Sequence, residues 1–162
     1  ASSITSLELV LGKAIAYFLV GIVEAAIAIF EAIVVFQIPF VGNPFLFSFY
    51  TILYVFTGVL FGLWAGTRAT NQMAAVQICA MVGFLGSMLL SGFMYPIRNI
   101  TYPISLFSNV VAARYYIEAS RDAFVRGSDF ISHWYIPVVL FALCLLFLLI
   151  AVKGMSKMQL SK

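Results

Sequence analysis

The sequence predicts an all-α, polytopic membrane protein: about four transmembrane helices plus a re-entrant or amphipathic external helical hairpin. Three observations carry this expectation. The chain of 162 residues is 64% apolar and only 9% charged, whereas a soluble domain carries about 25% charge. Its apolar residues gather into four long runs, and about 20 such residues, at about 1.5 Å of rise each, cross the hydrocarbon core. Prolines, glycines and most of the charges fall between those runs. So few charges cannot cover a water-facing surface, and lipid is the natural solvent.

Residues 1–13 read as a short interfacial helix. Thr5 followed by Glu8 has capping-box spacing, Leu7, Val10 and Leu11 share one side, and Gly12-Lys13 separates it from the next run. The alternative is that it forms the first turns of the following span. Residues 14–38 form that span, apolar apart from Glu24, Glu31 and Gln37, and Gln37-Ile38-Pro39 ends it because proline cannot continue the hydrogen-bond ladder. Gly42-Asn43-Pro44 turns the chain into an uncharged span at 45–66. A short polar loop with Arg68 leads to a third span at 73–95, ending near Tyr95-Pro96. Loops this short make the first three spans antiparallel neighbours.

Residues 97–133 are different. They hold seven charges: Arg98, Arg114, Glu118, Arg121, Asp122, Arg126 and Asp129. The apolar stretch between Pro103 and Arg114 is too short to cross but long enough to dip into the membrane. Beyond it, Arg114/Glu118 and Asp122/Arg126 are four apart and Glu118/Arg121 three apart, spacings that pair opposite charges on one helix face. The pattern predicts an amphipathic interfacial helix stopped at Gly127. A fourth span covers 134–152, with Pro137 tolerated in its first turn, and a lysine-bearing tail covers 153–162.

An even number of spans puts both ends on one side. The ends and the Arg68 loop carry Lys13, Arg68, Lys153, Lys157 and Lys162, against Arg98, Arg114, Arg121 and Arg126 on the other side. This balance favours cytoplasmic ends. Trp134, Tyr135, Tyr95 and Tyr102 fit an aromatic belt at one face and Trp64 at the other.

The charge of +3 is scattered rather than striped, so no nucleic-acid partner is expected. Cys79 and Cys144 lie inside apolar runs and read as small packing residues, without metal-ligand spacing or a disulfide framework. His133 lacks companion ligands and reads as interfacial. The basic stretch that opens a secretory signal is not visible, and the abrupt Ala1-Ser2-Ser3 start is what a fragment of a longer chain would show.

Glu24 and Glu31 are the sharpest feature. Seven residues apart, they lie on nearly one helical face, and a carboxylate at membrane depth is costly enough to face a cavity or a partner. One reading makes them a polar surface along a substrate path; the other makes them hydrogen-bonded glue between helices. Gly58, Gly62 and Gly66 repeat every four residues, as do Gly83, Ser87 and Ser91, and such rows let helix backbones approach closely. Packing within the subunit is the expectation, a subunit interface the alternative. Asn99-Ile100-Thr101 matches a glycosylation sequon, a pattern short enough to arise by chance. No nucleophile paired with a base and no phosphate-cradling loop is visible, so no catalytic, cofactor or metal residue is expected on the chain.

Four stretches together resemble the permease subunit of ABC-2 type transporters. They are Leu7-Glu8-Leu9-Val10-Leu11-Gly12-Lys13, Phe36-Gln37-Ile38-Pro39-Phe40-Val41-Gly42, Leu90-Ser91-Gly92-Phe93-Met94-Tyr95-Pro96-Ile97 and Arg121-Asp122-Ala123-Phe124-Val125-Arg126-Gly127. In order and spacing they cover nearly the whole chain. Thr101 and Ala112 depart from the family's pattern, standing where prolines are common. The resemblance implies the later part of a six-helix permease in a bacterial inner membrane. It implies a dimer of permeases, each half seated on an ATPase subunit that binds ATP and Mg, with no cofactor on this chain. It implies that Leu7, Glu8, Leu11, Lys13 and Arg68 contact that ATPase. The external hairpin carrying Pro96, Arg114, Glu118, Arg121 and Arg126 would close the outer end of a path for a hydrophobic or amphipathic substrate. Two rival readings stand beside it: an ion-coupled secondary transporter or channel using Glu24 and Glu31, and a non-transporting membrane scaffold.

Overall fold

The computed structural model of the chain describes residues 5–94, 102, 104–127 and 133–160. Pro96, the sequon at 99–101, Pro103 and Asp129 lie outside the described residues. Helices dominate because hydrocarbon offers no partner to an open N–H or C=O, so each crossing segment must satisfy its backbone internally.

Helix α1 (Ser6–Phe30) starts at Thr5, whose hydroxyl accepts from the Glu8 N–H while the Glu8 carboxylate accepts from the Thr5 N–H. It runs through Gly12-Lys13 unbroken and continues as a π turn, Glu31–Val35, giving one stretch of 30 residues. The separate interfacial helix expected at 1–13 is therefore corrected: its described part is the start of the first span. One helical glycine costs only about 1 kcal/mol relative to alanine, less than leaving backbone groups unpaired. At about 1.5 Å per residue α1 is roughly 45 Å long against a core of about 30 Å. Glu8 and Lys13 mark the end at which it projects. The span expected to reach 38 ends instead at Val35, where Gln37 takes a left-handed conformation with φ 51° and Ile38 N–H reaches back to the Ala32 carbonyl at 3.1 Å.

Asn43 caps α2 (Pro44–Arg68) by accepting from the N–H groups of Phe45 and Leu46, and Pro44 sits where no N–H is needed. Asn71 caps α3 (Gln72–Leu90), accepting from Ala74 N–H at 2.8 Å. Its middle, Cys79–Leu85, widens into a π segment. Helix α4 (Ile104–Ser108) is a short turn. Helix α5 (Ala112–Arg121) continues as a π turn, Asp122–Arg126, and Gly127 at φ 62° ends it. Helix α6 (Tyr135–Leu160) contains the most apolar of the four long stretches. It extends beyond 152, so residues 153–160 of the expected tail are helical.

Helix α2 is the post of the bundle and packs against α6, α1 and α5. Near one end, Tyr50, Tyr115, Ala119, Ile136, Leu140 and Leu143 form a buried cluster. Near the other, Val10, Ala14, Leu60, Cys144 and Ala151 form a second. These memberships run α2 parallel to α6 and α1 antiparallel to both. Helix α3 stands apart, with no buried residue along its length.

Close backbone approach occurs at glycines the repeat does not contain. A Cβ at Gly42 would lie 2.7 Å from Ala123 Cα, one at Gly21 would lie 2.7 Å from Val55 Cγ1, and one at Gly154 would collide with Thr67. At Gly58, Gly62 and Gly66 it would meet nothing within 4 Å. Their expected role in packing within the chain is corrected: the row faces open space because α3, the neighbour it could have received, is held off.

Three outcomes are expected from thermal unfolding in detergent. Gly42→Val loses about 1–3 kcal/mol through overpacking against Ala123, whereas Gly58→Ala is neutral or gains up to about 1 kcal/mol from helix propensity. Gln37→Gly gains up to about 1 kcal/mol by relieving the left-handed strain at a residue with a Cβ.

Candidate functional site

The gap between α2 and α3 forms a continuous membrane groove. Its part beside α5, of about 600 Å³, has Tyr54, Gly58 and Gly62 on one wall and Gly83, Phe84 and Ser87 on the other, with Phe107 and Val110–Ala113 at its end. Its other part, of about 820 Å³, is bordered by Gly66, Thr67 and Met155 and by Lys13 and Tyr17 of α1. Gly62 and Cys79 line both parts, which joins them. The absent glycine side chains create the width, and the aromatic rings supply a surface for apolar matter. Volumes of this size suit drug-sized ligands, for which pockets of about 300–1,000 Å³ are usual.

Glu24 and Glu31 are exposed on α1. At 100° per residue they share, within about 40°, the flank that carries Lys13 and Tyr17. Among the described residues neither carboxylate makes a salt bridge or a side-chain hydrogen bond to another group. Leu7, Glu8 and Lys13 are exposed and Leu11 half-buried, while Arg68 is exposed at the foot of α2. Lys13 and Thr67 border the same part of the groove, so these residues gather at one end of the bundle. Glu8 is also engaged in the cap of its own helix.

The opposite end is a polar cap built on α5. Its side chains do not pair as spacing predicts. Arg114 turns away from Glu118 to donate to Ser108 Oγ at 2.9 Å and Asn109 Oδ1 at 2.6 Å. Arg121 donates to the Gly92 carbonyl at 2.9 Å. Glu118 accepts from the Tyr135 hydroxyl at 2.7 Å. The expected Arg114/Glu118 and Glu118/Arg121 pairs are thus replaced by ties to other segments, because fixed acceptors compete well with exposed helix pairs worth a few tenths of a kcal/mol. Asp122 and Arg126 do pair, at 3.6 Å.

The π turn that ends α5 presents the Ala123 carbonyl to Val41 N–H at 3.0 Å and Gly42 N–H at 2.8 Å, clipping the α1–α2 loop to the cap. Phe40 and Phe47 meet the Phe124 ring edge-on, and Tyr116 stacks on Tyr54 at 4.3 Å. Such ring pairs contribute about 0.5–1.5 kcal/mol each. Burial pushes the Tyr116 phenol above its ordinary pKa, opposed in part by its hydrogen bond to Thr51 at 3.1 Å.

His133 sits in the same cap, with Nδ1 2.8 Å from Asp122 Oδ2 and Nε2 3.8 Å from Glu118 Oε1. Sequence reasoning read the residue as interfacial and without companion metal ligands, and did not foresee these carboxylates. A signal existed: Glu118 and Asp122 are like charges four apart, an arrangement that is unfavourable unless a cation or donor stands between them. Among the described residues no group of three His, Cys, Asp or Glu side chains is arranged to hold a metal ion.

Residues 1–125 match the family described as ABC-2 type transporter. The chain is 28% identical over 140 residues to the probable multidrug ABC transporter permease YbhS of Escherichia coli, covering 86% of this chain and 35% of that protein. It is 26% identical over 133 residues to the probable multidrug ABC transporter permease YbhR of the same organism, covering 82% of this chain and 36% of that protein. The chain thus spans about a third of the length of these relatives. No solved structure matches. With four helices long and apolar enough to cross a membrane and a family match over most of its length, the chain is a multi-pass membrane protein that belongs to the ABC-2 type transporter family.

Proposed function

We propose that the chain is the later part of the permease subunit of an ATP-binding cassette exporter in a bacterial inner membrane. It moves a hydrophobic or amphipathic substrate with energy drawn from a partner ATPase. The observation that carries this is the family match across residues 1–125, and the α2–α3 groove with its apolar, aromatic walls supports it. The chain supplies the path and no chemistry. ATP and Mg bind on the partner, and the complete assembly is a permease dimer on two ATPase subunits.

In this reading the ends of the chain are cytoplasmic. The projecting start of α1, Leu7 to Lys13, and the Arg68 loop take up the ATPase movement. The long helices carry that movement to the outer cap, since a packed helix transmits displacement along its axis better than a loop. The flank of Lys13, Tyr17, Glu24 and Glu31 faces the path or a neighbouring subunit rather than lipid, which a carboxylate avoids.

The ion-coupled alternative rests on the same two glutamates and lacks a charged partner for either among the described residues. Two measurements separate the readings. The complete permease, solubilised gently, is expected to co-purify with an ATPase subunit in near-equal amount, and a permease that never associates with one overturns the exporter reading. In vesicles, transport by Glu24→Gln and Glu31→Gln is expected to keep its requirement for ATP. The rate should fall by no more than about tenfold, the usual range for one polar contact of about 1.4 kcal/mol. ATP-independent transport that follows an imposed ion gradient, and is lost in Glu24→Gln, would establish the alternative.

A further inference from the structure

We propose that the α2–α3 groove is a seam with a second, closed state, in which Ala75, Cys79, Gly83 and Ser87 of α3 seat directly on Gly66, Gly62, Gly58 and Tyr54 of α2.

The two walls match in register. Gly62 and Cys79 border both parts of the groove. The helices are joined by a short loop and run antiparallel. One turn from this pair toward α5 therefore reaches Gly58 and Gly83, and a second reaches Tyr54 and Ser87. One turn the other way reaches Gly66 and Ala75. All of these residues line the groove, and all but Tyr54 are small. Tyr54 does not block the seam, because its ring stacks on Tyr116 of α5 at 4.3 Å. A row of every fourth residue drifts by about 40° per step around a helix of about 3.6 residues per turn. The π segment Cys79–Leu85 offsets that drift in α3, since a π turn holds more residues than an α turn. The small residues of α3 thus stay on the face opposite α2.

Space and attraction are both present. A Cβ at Gly58, Gly62 or Gly66 would meet nothing within 4 Å, so the structure holds the open state. In lipid, helices associate through close backbone approach at small residues rather than through hydrophobic burial. The facing rows meet that requirement as a pair, which neither does alone. One side chain stands between them. The ring of Phe61 lies 3.1 Å from where a Cβ at Gly83 would sit, and it also meets Phe147 of α6 edge-on with centroids 5.5 Å apart. Closing the seam requires this ring to leave Gly83 and settle toward α6, where Phe147 already receives it. Phe61 is the wedge that separates the two states.

The purpose of closing, to empty the path, rests on the exporter reading. The closed state itself does not, and its test uses neither ATPase, ATP nor substrate. Full-length permease carrying Gly62→Cys is placed in lipid nanodiscs and oxidised with copper phenanthroline, and peptide mass spectrometry reads which thiols have joined. A disulfide needs its two Cβ atoms about 3.8 Å apart, nearer than any atom across the open groove comes to a Cβ at Gly62. The introduced thiol is expected to link to Cys79 of the same chain. Adding Gly58→Leu, which fills the seam one turn away, is expected to slow that link by about tenfold or more through overpacking of the closed state, with rates normalised to the labelling of Cys79 by a small maleimide. Absence of the link to Cys79, a link formed only between two copies, or a link formed equally fast with Gly58→Leu overturns the proposal. Should Gly62→Cys fail to fold, Gly66→Cys with Ala75→Cys reports the same docking by the same criteria. The exporter reading is decided by ATPase association and by transport, which do not enter this measurement, so the two fail separately.

Discussion

The rest of the structure depends on hydrocarbon's inability to hydrogen-bond. Every crossing segment must close its own backbone ladder, and the chain obeys this even where its sequence invites a break. Gly12 and Lys13 pass inside α1, and Gly58, Gly62 and Gly66 pass inside α2, without interrupting either helix. Side-chain hydroxyls follow the same rule: Thr51 and Thr57 donate to the carbonyls of Phe47 and Leu53 in their own helix. Several of the described ends carry a cap that replaces the lost partners, at Thr5, Asn43, Asn71 and Gly127, whereas α5 opens at Val111 without a side-chain cap. Helix boundaries in this protein are thus set by who can satisfy an orphan amide, and much less by propensity.

A second consequence concerns what holds the helices to each other. Lipid tails are as apolar as leucine, so burial alone gives helices little reason to associate; close packing and polar contacts must do it. Helices α2 and α6 have both: close packing, from the fit of Gly154 against Thr67 at one end to the cluster of Tyr50, Ile136 and Leu140 at the other, and a polar contact between Cys144 and the Thr57 hydroxyl. Helix α3 has neither in comparable measure. Its π segment sits opposite Gly62, and the ring of Phe61 fills the place a side chain at Gly83 would take, 3.1 Å from its Cβ. The groove is therefore what remains when a span meets its neighbour through little more than the Phe61 ring along its middle.

The spans were legible in composition because a run of about 20 apolar residues has few other uses. The caps were partly legible, since Thr5 with Glu8, Gly127 after a charged helix and Pro39 after Gln37 each encode a local geometry. What escaped was everything that depends on which surface a residue meets. Gly58, Gly62 and Gly66 carry the sequence signature of close packing, yet the glycines that do the packing, Gly21, Gly42 and Gly154, belong to no repeat. A glycine row tells that space is available and not whether a helix fills it. The break expected at Gly12-Lys13 failed for a related reason: glycine costs a helix about 1 kcal/mol, but the apolar surroundings leave no alternative to helix. His133 was unreadable as a partner because its two carboxylates lie across a connection, on a helix whose charges looked self-sufficient by spacing.

The outer cap then explains how a seam left loose in the membrane can still belong to a single mechanical body. Helix α5 is tied to the α1–α2 loop through the Ala123 carbonyl, to the end of α3 through Arg121 and Gly92, and to α6 through Glu118 and Tyr135. One short amphipathic helix thus touches the outer end of every span. Widening the groove by moving α3 away from α2 must either carry α5 along or break the Arg121–Gly92 bond. Gly92, at φ 82°, is the residue best able to absorb that movement, because it lacks the Cβ that makes left-handed backbone costly elsewhere. Arg121 can follow it on a flexible stem while keeping its charge outside the hydrocarbon. Among the described residues the cap is tied to the α1–α2 loop and α2 by backbone and ring contacts and to α6 by Tyr135, while toward α3 it lies against the Gly86–Leu90 turn and reaches Gly92 through Arg121.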